Sequence, residues 1–177
     1  MMPGGHLATS FVLGSAAYAY TRSAPLAAGC VLGGFLIDFD HYLDYLIFER
    51  QWRRPSPASF LRYYFTYKAQ KMVLPLHSLE LMTLLAGIAA FQPHPILIGY
   101  WIGAAMHLLF DMLINGDHVL KRPILFYLFA YRAFHKFRVE MLLDPITVSR
   151  GTGERPYIEF FKWQPPKATP ISQEEAD

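Results

Sequence analysis

The chain has 177 residues, of which 53% are hydrophobic, 16% aromatic and 17% charged, with a formal net charge of +2. Soluble domains carry roughly a quarter charged residues, so this balance favours a membrane protein, while a mean hydropathy of +0.20 leaves room for segments outside the lipid. Cys30 is the sole cysteine; it excludes an intrachain disulfide and reads as a small buried hydrophobe.

Four apolar runs follow in chain order: residues 6–20, 25–48, 74–91 and 95–114. No basic segment precedes the first and His6 interrupts its start, so no cleavable leader is expected. Each run is long enough for a helix, and the second and fourth approach the ~20 residues that span a bilayer. Pro25, Pro75 and Pro95 sit at or near run starts, where proline is tolerated. Gly14, Gly29, Gly33, Gly34, Gly87, Gly99 and Gly103 recur inside the runs, as in membrane helices that approach closely. The short links 21–24 and 92–94 predict two helical hairpins.

The link 49–73 carries six Lys/Arg against one Glu, and residues 115–177 carry nine more. The positive-inside rule then places both termini and this link in the cytoplasm. Residues 123–143, with Arg132, Lys136 and Arg138, read as an amphipathic helix on the membrane surface. The expected fold is all-α: a polytopic membrane bundle of four core helices plus that interfacial helix. Residues 1–150 form one membrane-embedded domain, and 151–177 a cytoplasmic tail with a disordered end.

This topology brings the polar residues of all four runs to one leaflet. His6, then Asp38, Asp40, His41 and Asp44, then His77 and Glu80, then His107 and Asp111 all fall at cytoplasmic ends. Their depths agree: Pro25 to Asp38 and Pro95 to His107 each span about 18–20 Å of helix. Runs two to four contain no Lys or Arg to offset acids that cost roughly 2.5–3.5 kcal/mol each near a bilayer centre. Clustered carboxylates and imidazoles without basic partners point to a divalent cation. His107 and Asp111 (i, i+4) share a helix face, as do Asp38 and His41 (i, i+3). Asp40 lies about 160° from Asp38 on a regular helix. Either Gly33 and Gly34 loosen the local geometry, or Asp40 serves a second ion or stands behind the ligands.

The expected metal ligands are therefore His6, Asp38, His41, His77, His107 and Asp111, with zinc favoured and manganese or iron as alternatives. Asp40 is the expected catalytic residue, orienting a metal-bound water or acting as general base. Asp44, Glu80 and His135 are left without a role, His94 reads as structural, and His118 as a solvated loop residue.

"IDFDH" after a Gly-rich helix, "HS" at 77–78 and "HLLFD" at 107–111 resemble the bacterial family of inner-membrane metal-dependent hydrolases typified by YdjM. That family's pattern runs G-x-x-x-P-D-x-D-H, T-H-S and H-x-x-x-D; here Ile37 and Leu76 stand where it has Pro and Thr. The resemblance covers residues 5–111 and implies an inner-membrane hydrolase, with zinc the usual cofactor.

The leading expectation is thus metal-assisted hydrolysis of a phosphoester or other amphiphilic substrate at the cytoplasmic headgroup level, with membrane lipid as partner. The alternatives are a non-catalytic scaffold pinned by metal and an ion or proton transporter. Nucleic-acid binding is not expected, because the basic residues flank membrane segments and "GTGERP" lacks the context of a phosphate loop.

Overall fold

The computed structural model describes residues 2–53, 55–66, 68–114, 120–144, 146–148, 155–161 and 168–170. The chain is mostly helical. Helix α1 spans Pro3–Thr21, α2 Ala24–Leu36, α3 Phe39–Phe48, α4 Pro57–Phe65, α5 Leu79–Phe91 and α6 Pro95–Ile114. Short helices α7 (Pro123–Phe126), α8 (Phe129–Phe134), α9 (Val139–Leu142) and α10 (Pro156–Phe160) follow. Strands β1 (Ile146–Val148) and β2 (Ala168–Pro170) pair antiparallel. The described helix starts follow from local chemistry. Proline opens α1, α2 and α4, and Ser23, Ser56 and Ser78 cap α2, α4 and α5 by accepting a backbone N–H.

Three expected elements differ. The second run is not one regular helix. At Ile37–Asp38 the ladder switches to tighter i→i+3 bonds, with Asp38 N donating to Phe35 O (3.4 Å) and His41 N to Asp38 O (3.2 Å). The third run becomes helical only at Leu79, because residues 73–78 are held as a loop by side chains described below. The 123–143 segment is three short helices rather than one amphipathic helix. Lys136 and Phe137 take positive φ, and the carbonyl of Phe126 accepts from the buried Arg132.

The helices α2 and α6 meet backbone to backbone. Gly29 and Gly33 on α2, and Gly99 and Gly103 on α6, lie where any Cβ would collide with a carbonyl of the facing helix. Helix α1 packs on α2, and Trp101 Nε1 donates to Met82 O (2.9 Å), tying α5 to α6. A buried core of Ile37, Leu74, Ala104, Leu108, Phe126 and Leu142 lies against the break and the 73–78 loop. Gly103→Ala is expected to cost about 1–3 kcal/mol by overpacking, lowering Tm by roughly 2–12 °C for a chain of this length. Gly87→Ala, with nothing within 4 Å of the new methyl, should not lower it. Thermal unfolding of the two variants in detergent checks this, and equal Tm values would contradict the packing account.

The stretch Ala24–Phe48, taken across its break, and helix α6 are long and apolar enough to cross a membrane. The outward faces stay apolar: Val12, Leu84, Leu109 and Leu113 are all more than half exposed. Helix α10 lies beyond the expected domain boundary at 150, yet it packs on α4 and on the start of α1. Of the expected disordered end, residues 164–177, residues 168–170 instead form β2, and 164–167 and 171–177 fall outside the described residues.

Candidate metal centre

Helix α3 presents Asp40 and Asp44 four residues apart, hence on one face. Both carboxylates take backbone N–H groups from the loop ahead of α5. Asp44 Oδ2 accepts from Val73 N (2.6 Å) and Leu74 N (3.2 Å). Asp40 Oδ2 accepts from Leu76 N (2.9 Å) and His77 N (3.3 Å). Arg132 gathers the loop's carbonyls from the other side. Its Nε donates to Val73 O (3.2 Å), Nη2 to Leu74 O (2.8 Å), and Nη1 to His77 O (3.0 Å) and Phe126 O. The arginine is fully buried; burial pulls its pKa down, while the charges of Asp40, Glu80 and Asp44 oppose that shift. Leu74 takes a left-handed φ of 45°, a strained conformation for a non-glycine residue, which these bonds hold in place.

The loop delivers His77 to a buried cluster. His77 Nδ1 lies 3.0 Å from Asp40 Oδ1, and His107 Nδ1 lies 2.8 Å from Gly34 O. Each Nδ1–H is thereby committed to an oxygen, which leaves both Nε2 atoms as lone-pair donors. Those two Nε2 atoms face one another at 3.3 Å. Two lone pairs repel at that distance unless a positive charge lies between them.

Two carboxylates complete the arrangement. Asp38 Oδ1 is 3.7 Å from His77 Nε2 and 3.4 Å from His107 Nε2. Asp111 Oδ2 is 3.6 Å and 3.3 Å from the same two atoms. These five separations, 3.3–3.7 Å, join the four atoms as two triangles that share the His77–His107 edge. Donors bound tetrahedrally to zinc at ~2.0–2.2 Å stand about 3.3–3.6 Å apart, which is close to these separations. Asp38 Oδ2 and His6 Nδ1 are buried with no hydrogen-bond partner among the described residues. The donor set thus fits a divalent cation on chemistry, spacing and its unpaired atoms.

The structure brings all six expected ligands together, as two adjoining triads: His6, His107 and Asp111, and Asp38, His41 and His77. Their positions are not equivalent. His6 Nε2 lies 2.9 Å from Asp111 Oδ1, which turns the other oxygen, Oδ2, toward the histidines. Its ring stacks on His107, with centroids 3.6 Å apart. His41 meets His77 edge to face at 4.9 Å. Asp40, expected to be catalytic, stands behind His77 and is fully buried, the position of a carboxylate that orients a ligating imidazole.

The buried His/Asp groups could hold a metal ion. No family model, curated protein or solved structure matches the chain. Its chemistry is therefore read from the cluster itself.

The histidines outside the cluster fall elsewhere. His135 packs on Tyr131 and Phe134, and His94 caps α6 through its carbonyl. His118 lies outside the described residues. Glu80 accepts from Phe129 N (2.8 Å) and Ala130 N (3.0 Å), anchoring the start of α8. Sequence reasoning missed Arg132 as part of the site. Its one signal was an arginine amid aromatics, which a membrane-surface helix explains equally well.

Asp40→Asn keeps the side chain's shape but places an amide N–H₂ against hydrogens already aimed at it. The expected result is a loss of about 10- to 100-fold in metal affinity with the fold retained. Competition against a chromophoric chelator measures this, and an unchanged affinity would remove Asp40 from the account.

Proposed function

We infer that the chain is a membrane-embedded, metal-dependent hydrolase. Its substrate class is a phosphoester or other amphiphilic ester at the headgroup level of the cytoplasmic leaflet. The observation that carries this reading is the convergence of four donors, with each of Asp38 and Asp111 within 3.7 Å of both histidine Nε2 atoms, and one of the four, Asp38, also lines an open cavity. The membrane setting rests on the two long apolar stretches and on apolar side chains turned outward around small interior residues. The distribution of Lys and Arg favours the cytoplasmic side, and the resemblance to the YdjM-type family supports the same chemistry.

His77, His107, Asp38 and Asp111 would hold the ion, with His6 and His41 beside them for a second ion or a change of coordination. The mixed imidazole–carboxylate set suits zinc first, then manganese or iron. A bound divalent ion supplies Lewis acidity and lowers the pKa of a water toward ~7. The chain's own residues do the rest. Asp40 holds the proton on His77 Nδ1, Gly34 O holds that on His107, and His6 fixes the rotation of Asp111. Asp38, partly open to the cavity, is where substrate meets the cluster.

A second reading is favoured by one specific observation. Four protein donors converge, the number that structural zinc sites use, so a metal that only pins the helices fits the same residues.

Turnover separates the two readings. Purified protein loaded with zinc or manganese is expected to hydrolyse bis(p-nitrophenyl) phosphate, with activity falling at least about a hundredfold on removal of the ion by chelation and returning on its re-addition. Full metal occupancy with no hydrolysis of phosphodiester, phosphomonoester or carboxylic ester probes would favour the scaffold.

A further inference from the structure

We propose that the cavity beside the cluster holds the alkyl chain of the substrate, so that the enzyme acts on a lipid-like ester rather than a water-soluble one. The chemistry rests on the hydrolase reading above; the substrate class rests on the cavity. Its volume is about 470 Å³, within the ~300–1,000 Å³ typical of small-molecule sites. Four separate parts of the chain build it, with Pro3 from the start of α1. Leu36 and Phe39 flank the helix break, Phe60 comes from α4, and Phe160 and Phe161 come from α10 and the residue after it.

The lining is polarised. Apart from tyrosine hydroxyls, its polar side chains are Asp38 and His41, and both belong to the cluster. One end of the cavity is therefore the candidate metal centre, and the remainder, beyond the hydroxyls of Tyr42, Tyr64 and Tyr157, is phenyl and aliphatic surface. A nucleotide or sugar phosphate placed there would set most of its hydroxyls against apolar side chains, at a cost for each one left without a partner. A hydrocarbon chain attached to an ester group matches both ends.

The far wall is seated by a close approach. Gly4, two residues before His6, lies so near α10 that a Cβ would meet Phe160 O at 2.5 Å and the Phe161 Cα at 3.0 Å. The start of α1 thus supplies both a member of the cluster and the surface on which the aromatic wall rests. At the rim, Phe39 and Phe161 are 51% and 73% exposed. An apolar mouth of this kind receives its ligand from hydrocarbon more readily than from water.

The test compares ethyl and dodecyl p-nitrophenyl phosphate diesters on metal-loaded protein in amphipol, where no detergent competes for the cavity. Each buried methylene adds about three- to four-fold, so kcat/KM for the dodecyl ester should exceed that for the ethyl ester by at least about a hundredfold. Phe39→Ser combined with Phe161→Ser should cut this ratio at least about tenfold. Phe91→Ser, at an 89% exposed position away from the cavity lining, should leave it unchanged. A ratio near one in the unmutated protein, with the ethyl ester turned over, overturns the proposal and leaves the hydrolase reading standing. Titration calorimetry with dodecylphosphonate supplies a readout independent of turnover. If neither ester is hydrolysed but dodecylphosphonate binds the unmutated protein at least about tenfold tighter than the double variant, the cavity assignment holds and the hydrolase reading fails. Equal binding to the two proteins overturns the cavity assignment.

Discussion

His107→Ala is expected to strip the protein of its metal. The residue is one of the four proposed donors, and its Nδ1 contact with Gly34 O also ties α6 to α2. Apparent binding free energies of roughly 10–16 kcal/mol for zinc held by four donors make one donor worth about 2.5–4 kcal/mol, or about a hundred- to a thousand-fold in affinity. Metal content after dialysis should fall from at least one equivalent to near background. Any hydrolytic activity should fall with it, because the water that the ion activates is lost. The exposed His94, in the turn before α6, provides the comparison: His94→Ala should retain both metal and activity. Elemental analysis of the two variants decides the matter, and full metal occupancy in His107→Ala would remove that donor from the site.

The second large effect is expected at Arg132, far from His77 in sequence and adjacent to it in space. Arg132→Met removes a buried charge and strips its donors from four carbonyls, those of Val73, Leu74, His77 and Phe126. Breaking a buried charged network of this kind costs about 3–5 kcal/mol, which lowers Tm by roughly 6–20 °C at this chain length. Arg132→Lys should rescue little, since one ammonium cannot reproduce the forked geometry that spans these carbonyls. The same variants should bind metal more weakly, because the released loop carries His77. Thermal unfolding together with metal titration measures both effects. A Tm within about 2 °C of the unmutated protein would show that the arginine does not hold the loop.

Much of the site was legible in the sequence because helices make short-range spacing informative. His107 and Asp111 share a face by periodicity alone, and so do Asp40 and Asp44. Small residues in all four runs pointed to closely approaching helices without naming the pair; the structure makes it α2 and α6, through Gly29, Gly33, Gly99 and Gly103. The conflict between Asp38 and Asp40 on a regular helix was also legible. The structure resolves it with i→i+3 bonds at the break, and with Asp40 standing behind His77 rather than beside Asp38.

What the sequence did not reveal depends on contacts between distant segments. No local signal shows that residues 73–78 are a loop stapled by Asp40, Asp44 and Arg132, because each staple comes from more than 25 residues away. The aromatic and basic residues of 123–143 carry a helical pattern, yet the Phe126 carbonyl is taken by the Arg132 side chain, Lys136 and Phe137 adopt positive φ, and the helix breaks. Residues 156–161 looked like the start of a tail. Their return to α4 and Gly4 needs a partner surface that only the folded chain provides.

We propose that His77, His107, Asp38 and Asp111 surround a divalent cation. Elemental analysis decides this, on protein purified without chelator from cells supplied with zinc, manganese and iron. At least one equivalent of one of these metals per chain, retained through dialysis, is the expected result. Metal at background level in a folded protein, and no uptake on adding back any of the three ions, would contradict it.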